Sequence, residues 1–237
     1  MRISIIQVGE TPEIMLDRFK RFEPQYQNLL LSSGLEFSFE TIKIIDGEKF
    51  PKVVSLEGMI ITGSAYGVYE NPPWIDDLRL FIRSSYKAKI PMLGICFGHQ
   101  IMADALGGTV GKSDKGWGIG RHVYDVKNAP DFFNGVGGQV ALPASHQDQV
   151  LQAPSEAEVF LTSEFTPNAG LIYKNGKAIS MQPHPEFDVN YSKALIDRVN
   201  DGRLKENQAQ EAHKSFEMPL DRIEIGAGLA RFFKNVQ

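Results

Sequence analysis

The tightest constraint on this chain lies at residues 90–106, where Ile90-Pro-Met-Leu-Gly-Ile-Cys-Phe-Gly-His-Gln-Ile-Met-Ala-Asp-Ala-Leu106 passes from a buried-strand pattern directly into a helical one. Gly94 and Gly98 flank Cys96 at two positions on either side. A strand that turns sharply into a helix needs small neighbours at the turn and pushes the apical residue outward, the geometry of a nucleophile elbow, here with sulfur at its apex. The unpaired N–H groups that open the following helix favour negative charge at that point. A lone cysteine is by default a small buried hydrophobe. The paired glycines, and the polar His99 and Gln100 directly after them, suit a pocket rim instead.

The rest of the first half supplies the frame for such an elbow. Strand-length apolar runs rich in β-branched residues recur at 3–8, 37–45, 58–61 and 91–95,. Between them, 13–31, interrupted by Pro24, and 74–87 return apolar residues at helical spacing,. Alternating strands and helices predict an α/β fold with a mostly parallel sheet covered on both faces. The second half differs. Short runs at 120–126, 139–142, 157–162, 169–173 and 177–181, separated by Gly, Pro and Asn turns, predict a smaller antiparallel portion of the same sheet region,. Helical periodicity returns at 191–199 and 220–233, while 204–215 is polar and reads as an exposed helix or a connection,. No repeat or linker divides the chain, so residues 1–237 read as one domain, with 201–237 as a helical C-terminal extension,.

Composition narrows the partners and the compartment. A net charge of −4 and dispersed Lys and Arg lack the clustered cations that bind nucleic acid,. The single cysteine forbids an intrachain disulfide and points to a reducing, cytoplasmic setting,. The N-terminal apolar run is too short for a signal core or a membrane span,. Neither a metal nor a cofactor is expected.

A cysteine nucleophile needs an imidazole to move its proton and a third group to orient that imidazole. Of five histidines, His184 lies in Gln182-Pro-His-Pro-Glu186 directly after a strand pattern, with Glu186 two positions on. His146, in the polar cluster Ser145-His-Gln-Asp148, is the competing candidate. His122 sits within a strand pattern, His213 in the polar tail and His99 on the helix after the elbow, all better suited to packing, local hydrogen bonding or solvent.

With Gly94-Ile-Cys-Phe-Gly-His-Gln100 and the distant His184-Pro-Glu186 in place, the sequence resembles the class I glutamine amidotransferases. Ile60-Ile-Thr-Gly-Ser64 resembles the family's oxyanion strand and loop, Gly107-Gly-Thr-Val110 its strand after the elbow, and Ser145-His-Gln-Asp148 its substrate-side loop. The resemblance covers about residues 1–200. It implies a flavodoxin-like fold and hydrolysis of the glutamine γ-amide through a γ-glutamyl thioester. Cys96 would be the nucleophile, His184 the general base and then acid, and Glu186 the orienting carboxylate. The backbone N–H of Phe97 and that of Gly63 or Ser64 would stabilise the oxyanion. Gln100, His146, Gln147 and Asp148 would hold the amino-acid end of the substrate. Where many members have two glycines and a proline in the oxyanion loop, this chain has Gly63-Ser-Ala65.

The resemblance leans towards the amidotransferase domain of GMP synthetase and its stand-alone relatives, and no pyrophosphatase phosphate loop follows. The first expectation is therefore a glutaminase that releases ammonia, with a separate synthetase subunit as a possible acceptor. The alternative is a stand-alone γ-glutamyl peptidase or hydrolase using the same triad. A third reading, from another class, is a non-catalytic flavodoxin-like binding module with an incidental thiol.

Overall fold

A computed structural model describes residues 1–19 and 21–235. Its main sheet has nine strands in the order β2-β1-β3-β4-β11-β10-β9-β6-β7. These are β1 (Arg2–Gln7), β2 (Ser38–Lys43), β3 (Met59–Ile61), β4 (Met92–Ile95), β6 (Gly118–Val126), β7 (Gln139–His146), β9 (Ala157–Thr162), β10 (Gly170–Tyr173) and β11 (Ala178–Met181). The first five in spatial order, β2 through β11, pair in parallel, and the remaining pairings are antiparallel. A separate antiparallel ribbon joins β5 (Thr109–Lys112) to β8 (Asp148–Gln152).

Burial of both sheet faces follows from the strand sequences. Ile3, Ile5, Ile60, Leu93 and Ile95 enter one apolar cluster, while Ile6, Met59, Ile61 and Met92 enter the other. Successive side chains of a strand point to opposite faces, so a near-continuous apolar run is what a doubly covered strand requires. The first face is covered by α1 (Pro24–Leu31), α4 (Val189–Val199) and α6 (Arg222–Asn235), and the second by α2 (Ile75–Lys87) and α3 (Phe97–Ala105). An exposed α5 (Gln208–Ser215) lies against α4 and β6. No helix among the described residues is long and apolar enough to cross a membrane.

Four local departures from the sequence reading have physical causes. Pro24 does not interrupt a helix but opens α1, where its missing N–H costs nothing,. Upstream only Glu13–Met15 forms a short 3-10 turn, and Lys20 lies outside the described residues. The run at 139–142 extends to His146 through Pro143, which the edge position of β7 tolerates,. The polar cluster at 145–148 is followed by β8, whose partner β5 leaves the main sheet to form the ribbon.

Candidate active site

The elbow is built by two close backbone approaches. A Cβ added at Gly94 would lie 2.5 Å from the Gly98 carbonyl oxygen, and one at Gly98 would lie 2.2 Å from that of Ile61, so only glycine fits at either position. Cys96 itself adopts φ 54°, ψ −105° at the start of α3. Such a conformation costs a non-glycine residue about 1–3 kcal/mol and persists only when neighbours enforce it. Here the Cys96 N–H donates to the Met181 carbonyl at 2.8 Å and the Gln100 N–H to the Cys96 carbonyl at 3.0 Å. Phe97, the first residue of α3, contributes one of the helix's unpaired N–H groups beside the sulfur,.

His184 reaches this sulfur from the turn after β11. Its N–H donates to the Pro143 carbonyl at 2.9 Å, its ring stacks on Phe187 with centroids 4.0 Å apart, and its Nδ1 lies 2.6 Å from Glu186 Oε1. All three triad candidates are buried. Burial alone would lower the imidazole's pKa, but the charges of Glu186 and then Cys96 outweigh it and hold His184 well above its ordinary value,. With Nδ1 turned to Glu186, Nε2 is the ring nitrogen left for the sulfur and the reacting groups,.

His146 occupies a different place. Its Nδ1 donates to the Asp148 carbonyl at 3.1 Å and its buried Nε2 has no hydrogen-bond partner among the described residues. Burial, with His122 and His184 nearby, pushes it down to about 3, so it stays neutral. Gln100 Nε2 donates to the same Asp148 carbonyl at 2.9 Å and to Gln182 Oε1 at 3.1 Å, while Gln182 Nε2 donates to Cys96 Sγ at 3.6 Å. Gln182, quoted only as part of the histidine motif in the sequence, thus links the Asp148 loop to the sulfur. Gln147 is fixed by Ser113, whose N–H donates to its carbonyl at 3.0 Å, and the Asp148 carboxylate accepts from the Tyr69 hydroxyl at 3.0 Å. His99 is a structural bridge, with Nδ1 2.8 Å from Ser180 Oγ and Nε2 3.0 Å from the Asn168 carbonyl.

Of the two loop amides proposed as oxyanion donors, that of Gly63 is already engaged, donating to the Tyr26 hydroxyl at 2.9 Å. The Ser64 N–H has no protein acceptor among the described residues. Two residues escaped the sequence reading altogether. Tyr26 comes from α1. Arg222 comes from the start of α6 and donates to the carbonyls of Pro185 and Glu186 at 3.0 Å each, clamping the turn that carries His184. Neither sits in a recognisable motif. Cys96 and His184 open into a cavity of about 620 Å³, whose lining includes Tyr66, Tyr69, Trp74, Phe187, Tyr191 and Arg198.

The family model for glutamine amidotransferase class-I matches residues 15–198, and the chain belongs to that family. Within it, the chain is 30% identical to gamma-glutamyl peptidase 3 of Arabidopsis thaliana over 75% of its own length and 74% of the relative's. It is also 33% identical to the glutamine-hydrolyzing GMP synthase of Nostoc punctiforme, over 55% of this chain and 23% of that enzyme. Its fold matches a glutamine amidotransferase from Thermotoga maritima with a TM-score of 0.73 at 23% identity, covering 99% and 96% of the two chains. The chain is accordingly a hydrolytic enzyme of the class I glutamine amidotransferase family.

Proposed function

We propose that residues 1–237 form one cytoplasmic amidotransferase domain that hydrolyses γ-glutamyl peptides through a thioester on Cys96, with free glutamine as the lesser substrate. The observation that carries the choice is the cavity. Its 620 Å³ lies within the range of pockets that enclose drug-sized molecules, more than one free amino acid fills,. The peptidase relative, which aligns along three quarters of both chains, supports the same order. This reverses the ranking drawn from the sequence, where glutaminase stood first.

In the proposed reaction His184 takes the Cys96 thiol proton, Sγ attacks the γ-carbonyl carbon and the carbonyl electron pair moves onto oxygen, which two backbone N–H groups receive, those of Phe97 and Ser64. The tetrahedral adduct collapses, the C–N bond breaks and His184 gives its proton to the departing amine. His184 then takes a proton from water, which attacks the thioester; the C–S bond breaks as the second adduct collapses, His184 returns the proton to sulfur, and glutamate leaves with Cys96 restored. Glu186 holds the imidazole in the required tautomer throughout,. Gln147 and Asp148 form the rim at the amino-acid end, supported from beneath by Gln100 and His146.

The test uses the purified chain alone against glutamine and a panel of γ-glutamyl dipeptides. Higher kcat/KM on dipeptides is the expected result, with a glutamine-like diazo-ketone adding once at Cys96 and Cys96→Ala inactive. Undiminished hydrolysis by Cys96→Ala would remove the mechanism. Weak glutaminase activity that rises on addition of a synthetase subunit would instead establish an ammonia donor, the reading supported by the GMP synthase relative.

A further inference from the structure

Two peptide planes meet at the Gly63 Cα, and residues outside the triad tie down both. On the C-terminal side, the Gly63 carbonyl accepts from Thr62 Oγ1 at 3.1 Å. The same oxygen lies so near Gly9 that a Cβ there would sit 2.3 Å from it. The peptide is trans, so its N–H points opposite to its carbonyl, and fixing the carbonyl fixes the direction of the Ser64 N–H,. On the N-terminal side, the Gly63 N–H is held by the Tyr26 hydroxyl at 2.9 Å. Tyr26 is fully buried and its ring packs edge-on against Phe22, with centroids 5.4 Å apart, so the phenol oxygen has little freedom to move.

The hydroxyl also borders the reacting groups. A Cβ built at Gly63 would lie 3.5 Å from it, 3.3 Å from His184 Cε1 and 3.7 Å from Cys96 Cβ, placing all three around one backbone position. Burial first, and then the charge of Glu186, keep the phenol's pKa well above its ordinary value. The phenol therefore stays protonated and accepts the Gly63 N–H as a neutral hydroxyl. The Ser64 N–H, by contrast, donates to no protein group among the described residues.

We infer that Tyr26 is the positioning residue of the oxyanion loop: by taking the Gly63 N–H it withdraws that donor and leaves the Ser64 N–H as the second donor beside Phe97. The inference rests on the thioester reading above. It explains how a loop reading Gly63-Ser-Ala65 keeps an oxyanion site without the double glycine. The loop needs no freedom at position 64, because Tyr26, Thr62 and Gly9 determine the planes around Gly63.

The test is Tyr26→Phe in the full chain, which keeps the ring and deletes the acceptor. Because loss of an aligned oxyanion donor costs about a hundredfold in rate, kcat should fall about tenfold to a hundredfold while KM stays within about twofold. A substrate-like γ-aldehyde, which Cys96 converts to a hemithioacetal bearing the same oxyanion, should lose affinity by the same factor. Alkylation of Cys96 by iodoacetamide develops no such oxyanion and should keep its rate. Unchanged kcat, a kcat loss with unchanged aldehyde affinity, or alkylation that slows in step with kcat would each overturn the inference. A wild-type measurement covers failure of the variant to fold. On forming the aldehyde adduct, the Ser64 amide proton should move downfield by NMR and that of Gly63 should hold its position. A shift at Gly63 in place of Ser64 overturns the assignment. Absence of any adduct on the wild-type enzyme removes the thioester reading itself, an outcome distinct from an adduct that forms equally well without the hydroxyl.

Discussion

Gly9→Ala perturbs the oxyanion loop from a residue that itself takes no part in the proposed reaction. Gly9 has no positive φ, so alanine is acceptable to its own backbone and the effect is steric. The added Cβ would meet the Gly63 oxygen at 2.3 Å and the Ser64 Cα at 3.0 Å. An ordinary C···O contact is about 3.3 Å, so the Gly63 carbonyl must retreat by about 1 Å. It has nowhere slack to go, because His184 and Cys96 crowd the same residue from the pocket side. Overpacking of this kind costs about 1–3 kcal/mol of stability. Displacing a preorganised catalytic group by 1 Å can cost about a hundredfold in rate. The expected result is therefore a kcat reduced about a hundredfold with a folded protein whose unfolding midpoint in urea is lowered. Gly138→Ala is the matched control, since its Cβ would meet nothing within 4 Å, and both activity and stability should hold. Steady-state kinetics, urea unfolding and a crystal structure of the variant read all three quantities. A variant that keeps full kcat while its Gly63 carbonyl has visibly shifted would refute the claim that this peptide plane sets the rate.

Two further outcomes follow from the triad's electrostatics and its scaffold. Glu186→Gln removes the largest influence that raises the His184 pKa, leaving burial, which lowers it, opposed by Cys96 alone. The imidazolium then loses its proton at lower pH, so the alkaline limb of the kcat/KM profile should move down, and an unmoved limb would place that ionisation elsewhere. Arg222→Met keeps the apolar stem but deletes both donors to the Pro185 and Glu186 carbonyls,. Charged hydrogen bonds of this kind stabilise by about 1.5–3 kcal/mol each. Stability should fall by about 2 kcal/mol or more and kcat should fall with it, while a fully active variant would show that the His184 turn stands without the clamp.

The elbow was legible because its glycines sit within a few residues of the cysteine: a Cβ at Gly94 or Gly98 would lie 2.5 or 2.2 Å from a backbone oxygen, and no side chain substitutes for them. The parallel half of the sheet was legible for a related reason, since strands buried on both faces read as unbroken apolar runs. The residues that escaped act across long separations. Tyr26 meets Gly63 from 37 positions away, and Arg222 meets Pro185 from 37 and Glu186 from 36. A tyrosine on an amphipathic helix or an arginine at a helix start carries no local sign of such a role. The β8 strand was hidden for another reason. The polar residues before it serve the cavity, and its partner lies outside the main sheet.

The β5–β8 ribbon holds one end of the site on a part of the chain that the main sheet does not include. Gln147 and Asp148 stand at its head, while Cys96 and His184 belong to the ends of β4 and β11. The two groups communicate through the amide relay of Gln100 and Gln182 and through α3, not through shared strand pairing. Residues 107–112 and 147–152 are thus paired apart from the strands that carry Cys96 and His184, so a substitution in the ribbon can reshape the cavity rim without breaking a ladder hydrogen bond of the elbow strands.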